Sequence, residues 1–264
     1  MARAWVGTSG YAYPHWVGVL YPEGLAPRRW FEHYASVFDA VELNVTFYRL
    51  PTSRTFEAWG RRAPREFAFV VKGSRYVTHV RRLRDPREPV RVVLDACRPL
   101  GDRLRCLLWQ LPPRFQADPL RLREFLHTLP RAVRHAFEFR DPSWFCDAVY
   151  ELLAGCDAAV VCADWPVQVL PPGMRARKLD RSPVRVPQTA GWWYLRRHGP
   201  GGAYAGSYPA SSLRADARWI RLQVGAGRDG FVFFNNDVGG CAVRDALTLR
   251  RLVGPAAAQG RLNG

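Results

Sequence analysis

Eight short apolar runs, with helix-like segments between most of them, limit the fold more than any other feature of this chain. They lie at about Trp5–Thr8, Ala40–Thr46, Phe67–Val71, Arg105–Leu111, Ala136–Arg140, Ala158–Ala163, Trp192–Arg196 and Phe231–Phe234. Apolar residues recur at helical spacing in Arg29–Val37, Ser53–Arg62, Arg91–Arg103, Leu120–Leu129, Ala148–Ala154, Ser212–Gln223 and Val243–Val253. Strand alternating with helix predicts a parallel sheet, and eight such units in roughly 250 residues predict a closed (β/α)8 TIM barrel. An open doubly wound sheet is the alternative, but it usually has fewer strands and fewer charges in them. Residues 165–190 hold five prolines and no clear helix, so the sixth connection should be long and irregular. The barrel is expected to occupy residues 1–254 as one domain, with 255–264 a frayed tail.

At 264 residues the chain suits one α/β barrel. Its first residues lack the long apolar stretch of a signal peptide, and no apolar run approaches the roughly 18 residues of a membrane span. A soluble, cytoplasmic protein with no membrane partner is expected; nothing bears on its oligomeric state. None of the six cysteines forms a C-x-x-C pair or sits near a histidine at zinc-finger spacing, which predicts reduced thiols. Net charge is +16, yet 37 of the 39 basic residues are arginine and Ile220 is the single isoleucine. That pattern looks like codon bias, so arginine abundance alone is weak evidence for binding. The excess over 23 acids still favours anionic partners.

TIM-barrel sites form where strands end at the carboxyl face. Seven of the eight runs end there in polar or charged groups. The second carries Glu42, Asn44 and Thr46 at one parity, with Val41, Leu43, Val45 and Phe47 at the other. The third ends at Lys72, with His79 beyond it, and the fourth at Gln110. The fifth gives Glu138 and Arg140, two charges on one face of an apolar strand. The sixth ends at Asp164, the seventh gives Arg196 and His198, and the eighth ends in Asn235, Asn236 and Asp237. One such residue alone is equally well explained by a structural ion pair, Glu42 with Lys72 or Glu138 with Arg196. A stability network, however, would not need all of them at one end.

Several segments together resemble the YecE-like proteins, the family of domain of unknown function 72. They are Gly7-Thr-Ser-Gly-Tyr11 with Trp16 and Tyr21-Pro22, Val41 to Tyr48, Phe67 to Lys72 with Thr78-His79, and Leu108 to Pro113. Glu138-Phe-Arg140 with Ser143-Trp144, Arg196-Arg-His198-Gly199 and Phe234-Asn-Asn-Asp237 complete the set. The resemblance runs from about Trp5 to Leu252 and implies a TIM barrel. It brings no established reaction; a likeness to barrel endonucleases acting on DNA has the standing of a proposal for the family. Arg197 stands where an apolar residue is expected.

Lys72, Arg140 and Arg196 put more cation into the mouth than a neutral sugar needs, which suits a phosphate or carboxylate. Amides of the glycine-rich loops His198–Gly202 and Asp237–Gly240 are candidate anion donors. The leading expectation is therefore an enzyme on a small anionic, phosphate-containing substrate, with phosphoester or nucleic-acid hydrolysis first. Glu42 or Glu138 would be general base and a near-neutral His198 general acid. Lys72, Arg140 and Arg196 would hold the anion, and Asn235, Asn236 and Asp237 the substrate or a metal; Asn44, His79 and Asp164 are further binding candidates. The alternatives are a glycosidase or sugar isomerase built on Glu42 and Glu138, and a non-catalytic nucleic-acid-binding protein. Glu42, Glu138, Asp164 and Asp237 are the candidate donors for a divalent metal. No nucleotide cofactor is expected: Gly225–Gly230 fits G-x-G-x-x-G but follows a helix and precedes a strand, the reverse of the dinucleotide context. For nucleic acid, the loops 75–89 and 165–187 are basic, with Tyr76, Trp144, Trp165, Tyr204 and Tyr208 nearby as stacking aromatics.

Overall fold

A computed structural model describes residues 2–164, 186–200 and 204–254. Eight parallel strands close into a barrel in sequence order: β1 (Ala4–Ser9), β2 (Ala40–Leu43), β3 (Ala68–Lys72), β4 (Leu104–Gln110), β5 (Arg134–Glu138), β6 (Ala159–Ala163), β7 (Trp193–Arg197) and β8 (Gly230–Phe234). Closure is by β1 on β8, from Ala4 opposite Gly230 to Thr8 opposite Phe234. Around it lie α1 (Trp30–Val37), α2 (Val45–Tyr48), α3 (Ser53–Arg62), α4 (Arg87–Cys97), α5 (Pro119–Leu126), α6 (Asp147–Ala154), α7 (Ala210–Gly225) and α8 (Cys241–Val253). Most of the sixth connection and the tail lie outside the described residues.

Alternation along each strand divides two apolar layers. Inward residues such as Trp5, Val70, Leu108, Tyr194, Phe231 and Phe233 fill the barrel, with Trp5 stacked on Phe231 at 5.0 Å. Outward residues such as Val41, Phe69, Trp109, Phe137, Leu195 and Val232 meet the helices. The barrel is tight at Gly7, where a Cβ would fall 2.1 Å from the Ala40 carbonyl oxygen, so β1 can approach β2 only without a side chain. Tyr34 of α1 pins the same seam, accepting from the Thr8 amide (3.0 Å) and donating to the Ala40 carbonyl (2.9 Å).

Several boundaries differ from those expected of the sequence; the fifth strand, for one, runs Arg134–Glu138, so Arg140 lies just beyond its end. The second strand stops at Leu43; Asn44 turns helical and Val45–Tyr48 form one turn of helix. Thr46 secures that turn by donating to the carbonyls of Leu43 (2.7 Å) and Lys72 (2.5 Å). Helix α4 ends at Cys97, before Pro99, and continues as 3-10 turns to Arg103. Strand β7 runs through Arg197, whose buried guanidinium points outward and pairs with Asp216 of α7. A polar residue between Arg196 and His198 is thus matched by a carboxylate on the facing helix. Gly225 ends α7 and Gly230 begins β8, so the G-x-G-x-x-G match is a connecting loop.

The candidate active site at the barrel mouth

The uppermost inward layer is polar. Ser9, Glu42, Lys72, Gln110, Glu138 and Arg196 follow the inward parity of their strands and are all buried. Arg196 is the hinge of this layer. One of its terminal nitrogens donates to Glu42 Oε1 at 2.6 Å and the other to Glu138 Oε2. The second Glu42 oxygen accepts from Tyr194 Oη at 2.5 Å, and Ser9 Oγ donates to Glu42 Oε1 at 2.5 Å. The second Glu138 oxygen accepts from Arg140 Nε at 2.6 Å. All four carboxylate oxygens are therefore engaged. Burial alone would raise the Glu138 pKa, but the charges of Arg140 and Arg196, foremost, hold it well below the usual carboxylate range. Burial and the adjacent Glu42 raise the Tyr194 phenol well above its ordinary value, so it stays a donor.

Lys72 stands apart from this network. Its side chain is 8% exposed, with Nζ 4.1 Å from the centroid of the Phe47 ring. Among the described residues Nζ makes no ion pair or hydrogen bond; of the two structural pairs considered, Glu138 with Arg196 forms, whereas Glu42 pairs with Arg196 and not with Lys72. Burial, then the neighbouring Arg196, lowers the Lys72 pKa to about 7, against the opposing pull of Glu138 and Glu42. Phe47 reaches Lys72 because the chain turns at Asn44; on a continued strand its parity would have taken it to the other face. His79 packs edge-on against the same ring at 4.9 Å and hydrogen-bonds Thr78 Oγ1. Burial and the Lys72 charge lower its pKa to about 4.

His198 follows Arg196 at the same parity, 5% exposed, with Nε2 3.8 Å from Glu138 Oε1. Nδ1 faces Asn235 Nδ2 at 3.2 Å; an amide nitrogen only donates, so Nδ1 accepts and the proton sits on Nε2. Burial, then Arg196, pushes the His198 pKa well below the ordinary histidine value. The expected near-neutral general acid is thus a neutral imidazole across the physiological range.

Glu42, Lys72, Glu138, Arg140, Arg196, His198 and Asn235 converge, and His79 borders them. Three of the remaining candidates are held in other contacts. Asp164 accepts from Tyr208 Oη and from the His198 amide (2.7 Å), anchoring the loop after β7; its burial raises its pKa to about 6. Asn236 is buried and donates to Asp245 and the Gly206 carbonyl, both at 2.8 Å. Asp237 lies near His15 at 3.7 Å, and its carbonyl accepts from His15 and Trp16. Asn44 is half-buried at the start of α2. Among the described residues no three of His, Cys, Asp or Glu are grouped to hold a metal ion, so Glu42, Glu138, Asp164 and Asp237 do not form the expected donor set. The amide of Gly199 is already given to Tyr208 Oη, and those of Gly240 and Ala242 to the carbonyls of Asp237 and Asn236. Ser9, Tyr194 and Phe47 were missed as site residues. Parity two residues from Arg196 would have found Tyr194.

Beside the mouth the loops after β3 and β4 border a groove of about 950 Å³, lined by Arg81, Arg82, Arg84, Arg114 and Arg121 against Asp118 and Asp141. Of the expected stacking aromatics, Tyr76 and Tyr204 are exposed, whereas Trp144 and Tyr208 are buried. Trp144 lies flat on Phe139 at 5.1 Å. Trp165 and the basic loop around it lie outside the described residues. The six cysteines are free thiols, and no helix among the described residues is long and apolar enough to cross a membrane.

Comparison with known proteins agrees with this architecture. The UPF0759 protein YunF of Bacillus subtilis is 30% identical over 141 residues, a match spanning 50% of this chain and 50% of that protein. The crystal structure of a DUF72 family protein from Thermotoga maritima superposes with a TM-score of 0.76 at 29% identity, over 95% of this chain and 99% of the other. A DUF72 family protein from Enterococcus faecalis has the same fold, with a TM-score of 0.77 at 19% identity over 96% and 95% of the two chains. The profile of the family described as "Protein of unknown function DUF72" matches residues 5–263, and the chain belongs to that family.

Proposed function

We propose that the protein is an enzyme that takes an anionic, phosphate-containing substrate into the barrel mouth. One observation carries this reading: among the described residues Lys72 is a buried amine without a carboxylate partner, above a network of two carboxylates and two guanidinium groups. Glu42 and Glu138 pair with Arg196 and Arg140, so among these five described residues protonated Lys72 is one positive charge in excess. Lys72 and Arg140, the latter 14% exposed, hold the anion. Arg196 is wholly buried between two carboxylates and positions them; it does not reach the ligand.

The geometry favours a changed division of labour for the chemistry. The oxygens of Glu42 and Glu138 are all taken up in ion pairs and hydrogen bonds, which speaks against a glycosidase needing two available carboxylates. His198, held neutral, offers an Nε2–H as a hydrogen-bond donor and no readily lost proton. Lys72 is the mouth group whose pKa, about 7, suits proton transfer at neutral pH. Phosphoester hydrolysis remains the first reaction to assay, with Lys72 as the proton-transfer group. Proton transfer next to a carbonyl, as in a sugar isomerase, is the second, favoured by the same lysine.

Calorimetric titration with inorganic phosphate at low ionic strength, followed by turnover of chromogenic phosphate mono- and diesters, tests the reading. One saturable site per chain is expected, weakened at least tenfold in Lys72→Met and Arg140→Met. Binding that is absent, or unchanged in both variants, would overturn it.

A further inference from the structure

The ammonium group of Lys72 is placed unlike Arg140 and Arg196. Those two donate to Glu138, and Arg196 also to Glu42, whereas Lys72 Nζ rests on the Phe47 ring at 4.1 Å with no carboxylate or carbonyl bonded to it among the described residues. A lysine serving only as a fixed charge would gain by pairing with one of the two glutamates below it. An amine kept clear of hydrogen bonds, desolvated, and flanked by other cations retains its lone pair for attack. The groups around it fit this use. Arg140 and Arg196 oppose its protonation, Glu42 and Glu138 are spent on the arginines, and His79 and His198 are neutral.

We propose that Lys72 is a nucleophile that forms an imine with the carbonyl carbon of a substrate that also bears a phosphate or carboxylate group. The inference rests on the anion-binding reading of the mouth and narrows it to carbonyl compounds such as sugar phosphates. In the step, the Nζ lone pair attacks the carbonyl carbon. A C–N bond forms and the C=O π electrons move to oxygen, which takes a proton. The resulting carbinolamine expels water, so that C=N replaces C=O; both amine protons leave with the carbonyl oxygen. Nothing is oxidised or reduced, and no co-reactant is needed. The ring of Phe47 restricts the amine to one approach; Lys72 is deprotonated in this step, so the charge of Arg140 holds the substrate anion and protonated Lys72 adds to it only before reaction.

The chain has only two lysines, Lys72 and Lys178, which makes the test clean. The full chain is incubated at pH 8 with glyceraldehyde 3-phosphate or with glyceraldehyde, reduced with sodium borohydride, and mapped by peptide mass spectrometry. One adduct at Lys72 is expected, at least tenfold more abundant with the phosphorylated aldehyde, and suppressed by inorganic phosphate. Lys72→Arg should carry none. Adducts confined to Lys178 or the terminal amine, or equal labelling of Lys72 by both aldehydes, would overturn the proposal. If phosphate binds calorimetrically and Lys72 stays unlabelled, the imine falls and the anion site stands; if phosphate does not bind either, both fall.

Discussion

An amine such as Lys72, buried and without a bonded counter-ion among the described residues, lowers stability whenever it is charged. Its pKa falls from 10.5 in the unfolded chain to about 7 in the fold. Between those values the unfolded chain binds the proton and the folded chain does not, so stability from this group rises with pH through that window. Below about pH 7 both states are charged and the burial cost is present in full, with a ceiling of about 5 kcal/mol. Lys72→Met should therefore stabilise the protein by about 1–3 kcal/mol at pH 6, a gain that fades toward pH 10. Urea unfolding across that range checks it; a variant less stable than the parent at pH 6 would contradict the burial cost. Arg196 is the opposite case, since its removal strands two buried carboxylates. Arg196→Met should cost about 3–5 kcal/mol, seen as an earlier urea midpoint.

Elements β1 and β7 show how strand alternation distributes roles. Strand β7 sends Tyr194 and Arg196 into the mouth network and Arg197 outward to Asp216 on α7. Asp216→Ala should cost about 3–5 kcal/mol by leaving the buried guanidinium without that partner, while Arg197→Met with Asp216→Leu should recover most of it. A double-mutant cycle in urea measures both. On β1, Gly7→Ala should cost about 1–3 kcal/mol or more, because its Cβ would meet the Ala40 carbonyl oxygen at 2.1 Å. The strands were legible because each is an apolar run bounded by polar residues, and Glu138 with Arg140 stood out by parity alone. The turn at Asn44 was not legible: Val41–Tyr48 alternates as a strand does, and one helical turn is too short to show its own period. Phe47 was hidden with it. The neutrality of His198 was hidden too, because it depends on Arg196, Glu138 and Lys72 from different strands.

At the scale of the whole molecule, the closed barrel brings residues 154 positions apart, Glu42 and Arg196, into one ion pair. The net charge of +16 and the arginine groove beside the mouth add a long-range positive field, which would draw the proposed anion toward that network. Attraction of this kind is screened by salt, so phosphate affinity should fall as ionic strength rises from about 50 to 200 mM, while the Lys72→Met difference persists because the amine is buried. The anion site proposed at the mouth is built on Lys72 and Arg140. A crystal structure of the protein soaked in phosphate shows whether it exists. An anion within hydrogen-bonding distance of Lys72 Nζ and the Arg140 guanidinium is expected; a vacant mouth, with phosphate bound only along the outer arginines, would contradict it.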